Sequence, residues 1–532
     1  MPARSFRTEY EYQEELVAEL IRSRPFPHKV KAVRLVETHI SWVLLAGNYA
    51  YKIKKAVNLG FLDFTGLDRR RLYCEEEIRL NRRLAPGIYL DVVSIGGSAD
   101  RPEFGILPVI EYAVRMRRFN RTRQLDRMVA RDKLTPLVMD RLAASLATFH
   151  GRVPRSELDK VFGSPVSIRA AATQNFDQLQ LLLAAHADRD AVAALRNSSD
   201  NEFDACSQLF EQRRNQGFVR ECHGDLHLGN VVLVGEEPVL FDGIEFNPGL
   251  RWIDVMNDVA FLMMDLLHHH RADMAYRFIN GWLEATGDYA GICVLRFYLS
   301  YRAAVRAKVN AIRASQSEHE GRKSLDACHD YLVLARECLV RRGAVLITHG
   351  LPGSGKSTFA LAAAERLQLI RIRSDVERKR LFGMSPLDKS YSAEMEGVYS
   401  ADATRRTYLR LLELAREILA SGFPVIVDAV FLRQEEREEF RLLALAAHVP
   451  FAIVSMQASD TVLHSRIRQR QLAAGDASEA DIEVLKMLQV SQQPLLQHEL
   501  AYTVKMLNYG DDTIADAENW GNLNIHLTGK SS

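Results

Sequence analysis

An apolar run from Ala344 to Thr348 leads into Gly350-Leu-Pro-Gly353-Ser354-Gly355-Lys356-Ser357-Thr358, which satisfies the pattern G-x-x-x-x-G-K-[ST]. Glycines at this spacing let backbone N–H groups wrap a phosphate, and the helix expected from Ser357 to about Leu367 adds the positive end of its dipole. Lys356 is then placed to reach the β and γ phosphates of a nucleotide, and Ser357 to hold Mg²⁺. Strand-like pieces recur at Ile370 to Arg373, Pro424 to Val430 and Phe451 to Met456, with helical segments between them. Strands alternating with helices predict a parallel sheet.

The residues that follow those strands set the chemistry around the loop. Ser374-Asp375 is expected to end the second strand, with Arg378 three residues on, which puts a carboxylate and a guanidinium at the rim facing the γ phosphate. Asp375 also reads as a helix N-cap ahead of Val376. Val425-Ile-Val-Asp428 is an apolar strand ending in a carboxylate, a position that supports Mg²⁺ or equally a strand-end turn. Arg466 and Arg470 lie four apart on a helix predicted from Thr461 to Gln471, either closing over the phosphates or facing solvent.

With 532 residues the chain exceeds what one hydrophobic core supports, so two or three domains are expected. The charged stretch Glu337 to Gly343 marks a boundary, giving domains at 1–340 and 341–510 and a polar tail at 511–532 with an edge strand expected at Leu523 to Leu527. Lys and Arg number 69 against 68 Asp and Glu, which excludes a global field for polyanions. The basic stretch from Arg115 to Lys133 reads as a solvated helix face. None of the six cysteines forms a C-x-x-C pair, no apolar run approaches a membrane span, and Met1 to Tyr12 carries no leader-like apolar segment, so the expected location is the cytoplasm.

Within 1–340, a mixed lobe at about 35–115 precedes a helical one at about 134–340. The first contains the arms SWVLLAG and YAYKIKK around Gly47-Asn48 and a helix from about Arg69 to Leu84. His268, His269 and His270 read as the end of a helix rather than a metal site. The strand-rich insert Glu221 to Phe246 carries His223-Gly-Asp225-Leu-His-Leu-Gly-Asn230, then a hairpin ending Leu240-Phe-Asp242. Two carboxylates and an amide thus meet at one end of a hairpin, which supplies a proton acceptor and oxygen ligands for Mg²⁺.

This constellation resembles the aminoglycoside phosphotransferase and choline kinase branch of the protein kinase-like fold, over roughly residues 35 to 310. The resemblance implies that Asp225 is the catalytic base, Asn230 and Asp242 are Mg²⁺ ligands, His223 is a scaffold for the loop, and Asp254 and Asp258 are structural. It also implies a strand lysine on the α and β phosphates with a helix glutamate beside it. Lys52 and Glu77 fit, while Lys54, Lys55, Glu75 and Glu76 compete. Met116 falls near the segment that receives adenine. A glycine-rich loop is barely present, Gly47 standing alone.

Residues 344 to 500 resemble the small P-loop kinases of the polynucleotide kinase and zeta-toxin type. By that resemblance Asp375 accepts the acceptor's hydroxyl proton, Arg378 clamps the acceptor or the transferring group, and Arg466 and Arg470 close as lid arginines. The expected fold is therefore a multidomain α/β and α+β chain, a protein kinase-like bilobal domain followed by a P-loop parallel-sheet domain. The expected activity is bifunctional transfer of the γ phosphate of ATP, with Mg²⁺, to a hydroxyl on a small molecule or a nucleic-acid 5′ end, with no membrane partner. The alternative makes the first half a nucleotide- or metabolite-sensing module that regulates a P-loop kinase or switch ATPase.

Overall fold

Trp42, Leu44 and Ala46 alternate with half-buried residues along Ser41–Ala46 (β2), and Tyr49–Lys54 (β3) returns beside it in antiparallel register. Gly47 between them takes φ +59°, as a tight two-residue hairpin turn demands. The computed structural model describes residues 8–60, 62–183, 185–316, 321–385, 388, 400–473, 480–508, 520, 521, 523, 526 and 527. The chain forms two compact units that do not follow chain order: Met1–Arg141, Arg152–Ser167 and Glu211–Leu262 make the first, and Leu142–Gly151, Ile168–Phe210 and Met263–Ser532 the second.

In the first unit β2 and β3 join Val33–Glu37 (β1), Tyr89–Ser98 (β4), Arg101–Phe104 (β5) and Val109–Arg117 (β6) in an antiparallel sheet ordered β1-β2-β3-β6-β4-β5. Strand alternation sorts β3 by face. Tyr51 and Ile53 join Trp42 and Leu44 under the helix Glu9–Ser23, whose Leu16, Val17 and Leu20 complete that cluster. Lys52 and Lys54 therefore point to the opposite face, where the helix Leu67–Asn81 presents Glu77. The same unit carries Val219–Glu221 (β7), the hairpin Val231–Val234 (β8) and Glu237–Leu240 (β9), and Trp252–Asp254 (β10), which pairs with β7. The stretch from Arg115 to Lys133 is not one helix face: it runs from β6 through a 3-10 turn at Arg121–Arg123 into the short helix Leu125–Val129. The helix Val255–His268 ends at the first of the three histidines.

The second unit contains a parallel sheet of Val345–His349 (β11), Ile370–Arg373 (β12), Val425–Asp428 (β13), Phe451–Gln457 (β14) and Thr503–Leu507 (β15), ordered β12-β13-β11-β14-β15. Leu346, Ile426 and Val454 pack against Phe359, Ala360 and Ala363 of the helix Lys356–Leu367. Small alanines on that helix let it lie close to the sheet. The outer edge is β15; Leu523, His526 and Leu527 are helical, so they do not supply the edge strand expected there, while 524 and 525 lie outside the described residues. Leu523 instead fills the core beneath Phe359. Among the described residues no helix is long and apolar enough to cross a membrane.

Beyond the apolar layer, the second unit depends on a buried ion pair. Arg437, on the helix Gln434–Ala446, is 1% exposed; its Nε and Nη2 donate to Glu499 at 2.6 and 3.0 Å, and its Nη1 to the Phe431 carbonyl at 3.1 Å. Removing the carboxylate leaves a guanidinium buried without its counter-charge. Glu499→Gln is expected to cost about 3 kcal/mol or more, read as a fall in the urea midpoint of the transition that unfolds this sheet.

Candidate active sites

The phosphate-binding loop is shaped by its glycines and braced from behind. Gly350 takes φ +140°, and a Cβ there would lie 2.4 Å from the Met456 carbonyl oxygen. Gly355 takes φ +97°, and a Cβ there would lie 2.1 Å from the Asn508 side-chain nitrogen. No other residue fits either position. Asn508 follows β15 and is buried; its Nδ2 donates to the Ser354 carbonyl at 2.9 Å, and its Oδ1 accepts from Arg466 at 3.1 Å.

Around this loop one cavity of about 550 Å³ is lined by Gly353, Gly355, Lys356, Ser357 and Thr358 together with Asp375, Arg378, Asp428, Arg466 and Arg470. The structure thus brings the residues expected from separate elements to one site. Asp375 reaches it differently from the expectation: β12 ends at Arg373, and Ser374 and Asp375 open the helix Ser374–Leu381, whose N-cap is Arg373. The carboxylate sits in the first helical turn, where the dipole favours negative charge. Arg378 donates to Thr404 at 3.1 Å, and Arg470 to the Ala480 carbonyl at 2.8 Å, so the cavity wall holds both guanidinium groups. The helix bearing Arg466 and Arg470 spans Asp460–Ala473.

Ser357 Oγ donates to Asp428 Oδ1 at 3.3 Å, while Asp428 Oδ2 is buried and accepts no hydrogen bond. A hydroxyl beside an unsatisfied carboxylate oxygen is an oxygen donor set that suits Mg²⁺. Burial pushes the Asp428 carboxyl up, against the pull of Arg373, Arg371 and Lys356. Lys356 donates to the Leu351 carbonyl at 2.8 Å, and burial brings its pKa down to about 8 although Asp428 and Asp375 oppose this.

In the first unit Lys52 Nζ lies 2.9 Å from Glu77 Oε1 and 2.6 Å from Asp242 Oδ1. Lys55 pairs instead with the half-exposed Glu37, Glu75 with Arg71, and Glu76 with Arg79 and Arg251. Lys54 is the partner that sequence reasoning left unplaced: it is fully buried, meets Glu77 Oε2 at 2.8 Å and also pairs with Glu245. Burial pushes Glu77 up, yet the two lysines outweigh it and hold the carboxyl at about 2.

The loop itself is tied from both sides. Asp258 accepts the His223 and Gly224 amides at 3.0 and 2.9 Å, and Asp254 takes both arms of Arg213, so these two aspartates are structural. His223 Nδ1 accepts the Asp225 amide at 3.3 Å, leaving its Nε2 to donate to the Phe241 carbonyl at 3.0 Å. Burial lowers its pKa, consistent with a neutral ring. Asn230 Nδ2 donates to Asp225 Oδ2 at 3.0 Å, so its amide oxygen and the Asp242 carboxylate remain as oxygen ligands that suit Mg²⁺. Asp242 takes the left-handed φ of +63°, with its amide donating to the Tyr89 hydroxyl at 3.0 Å. Between β1 and β2 run only Thr38, His39 and Ile40, without a glycine, and Met116 is the penultimate residue of β6.

Residues 345–495 match the family model described as an AAA domain. Uncharacterized protein Rv2004c of Mycobacterium tuberculosis is 32% identical over 466 residues, covering 86% of this chain and 89% of that one. Among solved structures, a choline/ethanolamine kinase family protein from Mesorhizobium loti aligns with 61% of this chain and 99% of its own at 13% identity and TM-score 0.36. A gluconokinase from Sinorhizobium meliloti aligns with 35% of this chain and 93% of its own at 20% identity and TM-score 0.25.

The depressed lysine has a measurable signature. Below pH 8 Lys356 is charged in both the folded and unfolded states and its burial carries a full penalty; that penalty fades as the pH rises from about 8 toward 10.5, so it favours folding at the alkaline end. Nucleotide phosphates would reverse the shift by supplying negative charge. Binding of a non-hydrolysable ATP analogue between pH 8 and 9 is expected to take up a fraction of a proton, seen as a binding enthalpy that depends on the buffer's ionisation heat. Lys356→Arg, which does not titrate there, should lose that dependence.

Proposed function

Because the chain belongs to the family of the mycobacterial protein Rv2004c and carries an AAA domain at residues 345–495, we propose that it is an ATP-dependent phosphotransferase with two active sites. The observation that carries the reading is the shared cavity that Asp375 lines together with Lys356, Ser357 and Asp428. A switch that hydrolyses ATP against water has no need of a carboxylate aimed at an acceptor hydroxyl; a kinase does. In this site Lys356 and the loop amides hold the phosphates, and Ser357 and Asp428 hold Mg²⁺. Asp375 takes the hydroxyl proton, and Arg378, Arg466 and Arg470 offset charge that spreads over the transferring group. Bound Mg²⁺ neutralises phosphate charge.

In the first unit Asp225 is the base, Asn230 and Asp242 are metal ligands, and Lys52, held by Glu77, meets the phosphates. The acceptor of each site is a hydroxyl on a small molecule or a nucleic-acid 5′ end. One observation favours a second reading for this unit alone: the glycine-free connection Thr38-His39-Ile40 between β1 and β2 lacks the usual phosphate cover, which suits a module that senses nucleotide without turning it over.

Both readings meet one experiment. With γ-labelled ATP and a panel of metabolites and oligonucleotides, Asp225→Asn and Lys356→Ala should each abolish one of two transfer activities. Asp375→Asn should lower the second by about 10²- to 10⁴-fold with nucleotide binding intact. Loss of both activities through a single substitution sinks the two-site reading. If Mg·ATP raises the melting temperature of Lys356→Ala yet no label is transferred, the sensing reading takes the first unit.

A further inference from the structure

After β9 the chain passes through Asp242-Gly243-Ile244, and these successive backbone amides are each taken by a different anchor. The Asp242 amide donates to the Tyr89 hydroxyl at 3.0 Å, the Gly243 amide to Asn81 Oδ1 at 2.7 Å, and the Ile244 amide to the His223 carbonyl at 3.0 Å. The anchors come from the first residue of β4, the last residue of the helix Leu67–Asn81 and the loop that carries Asp225. Tyr89 and Asn81 are withdrawn from solvent, at 1% and 3% exposure. Asn81 is itself held in place: its Nδ2 donates to the Glu77 carbonyl one turn earlier at 3.0 Å and to the Gly243 carbonyl at 3.4 Å. Burial, and after it the carboxylates of Asp242 and Glu77, push the Tyr89 phenol well above its ordinary value, so a neutral hydroxyl faces the Asp242 amide.

These anchors act where the backbone resists. Asp242 takes φ +63° with a glycine beside it, yet the aspartate, not Gly243, adopts the left-handed conformation. A residue other than glycine pays about 1 kcal/mol or more there, and the conformation persists only where the surroundings over-determine it. The side chain is committed on one oxygen: Oδ1 meets Lys52 at 2.6 Å, while Oδ2 accepts no hydrogen bond among the described residues, and the side chain is 46% exposed. Relaxing φ to the ordinary negative range would swing this carboxylate away from the direction that the preceding strand and Lys52 give it.

We infer that Tyr89 and Asn81 are positioning residues of the first unit's metal site: together they hold the Asp242-Gly243 backbone in the left-handed turn that leaves Asp242 Oδ2 open to a divalent cation. The inference rests on the reading of Asn230 and Asp242 as metal ligands. It does not require turnover, so it applies to a catalytic and to a sensing unit alike. It also gives the tyrosine at the start of β4, which packs in an apolar cluster with Ile78 and Val114, a task that phenylalanine in the same space cannot perform.

The test measures metal affinity directly. The full chain carries Lys356→Ala and Asp428→Asn in every sample, which disables the second unit's proposed nucleotide and metal positions. Mn²⁺ is titrated in with protein in excess over a non-hydrolysable ATP analogue, and free Mn²⁺ is followed by its paramagnetic resonance signal. Tyr89→Phe removes one oxygen from a buried ring and is expected to weaken Mn²⁺ by about 10-fold or more, and Asn81→Ala to do the same. Binding of the analogue in metal-free buffer should change far less in both, because Lys52 and Glu77 keep their contact. Melting temperatures identify folded samples, and should Asn81→Ala not fold, Tyr89→Phe, which keeps the ring's packing, decides alone. Unchanged Mn²⁺ affinity in Tyr89→Phe, or a loss matched by an equal loss of metal-free nucleotide binding, overturns the inference. Asp242→Asn is the control for the underlying site: if it leaves Mn²⁺ binding intact, the metal-site reading itself fails.

Discussion

A carboxylate removed from water persists as an anion only where cations replace its hydration. Glu77 has no exposed surface and meets that demand twice, once on each oxygen, from Lys52 and Lys54. Much of the first unit's site is arranged by this one group. Strand alternation sends both lysines to the helix side of the sheet, Lys52 extends the contact to Asp242, and Lys54 extends it to Glu245. The strand, the helix and the segment after β9 are thereby fixed to one another through charge as well as through the apolar cluster of Cys74, Ile78, Val239 and Phe241. The pairing stabilises the fold above pH 4.5, the ordinary value of the carboxyl, and is lost as the pH falls toward the folded-state value of about 2.

The second unit handles the opposite problem. Its phosphate site gathers cations before any anion is present, and burial answers by drawing Lys356 down to about 8. Part of the positive charge is met permanently: Glu284 takes Arg371 and Arg373. Lys356, Arg466 and Arg470 line the cavity and suit a polyphosphate.

How much of this was legible in the sequence follows from how local each feature is. The phosphate-binding loop is contiguous, and its glycines are dictated by backbone approach distances, so its strand–helix context is legible in the sequence. The segment from His223 to Asp242 is nearly as local. The choice among Lys52, Lys54 and Lys55 was open because three lysines within four positions differ only in the face and depth that the sheet assigns them. Asp375 lies in a first helical turn rather than at a strand end because the strand stops at Arg373, two residues earlier than expected. Lys54 with Glu245, Asn508 with Ser354, and Glu284 with Arg373 were missed for a common reason. Each joins residues far apart in the chain, and no spacing rule connects them.

Asn508 shows why such residues escape a motif and still matter to it. A side-chain amide offers a donor and an acceptor on adjacent atoms. Here the donor satisfies the Ser354 carbonyl and the acceptor holds Arg466. A carboxylate in its place would repel that carbonyl, and a shorter polar side chain would not span both partners. Gly355 is part of the same contact, since a Cβ there would occupy the position of the amide nitrogen. The glycine that the motif displays is therefore required twice, by the left-handed backbone and by a residue beyond the last strand. The motif records only its half of that constraint.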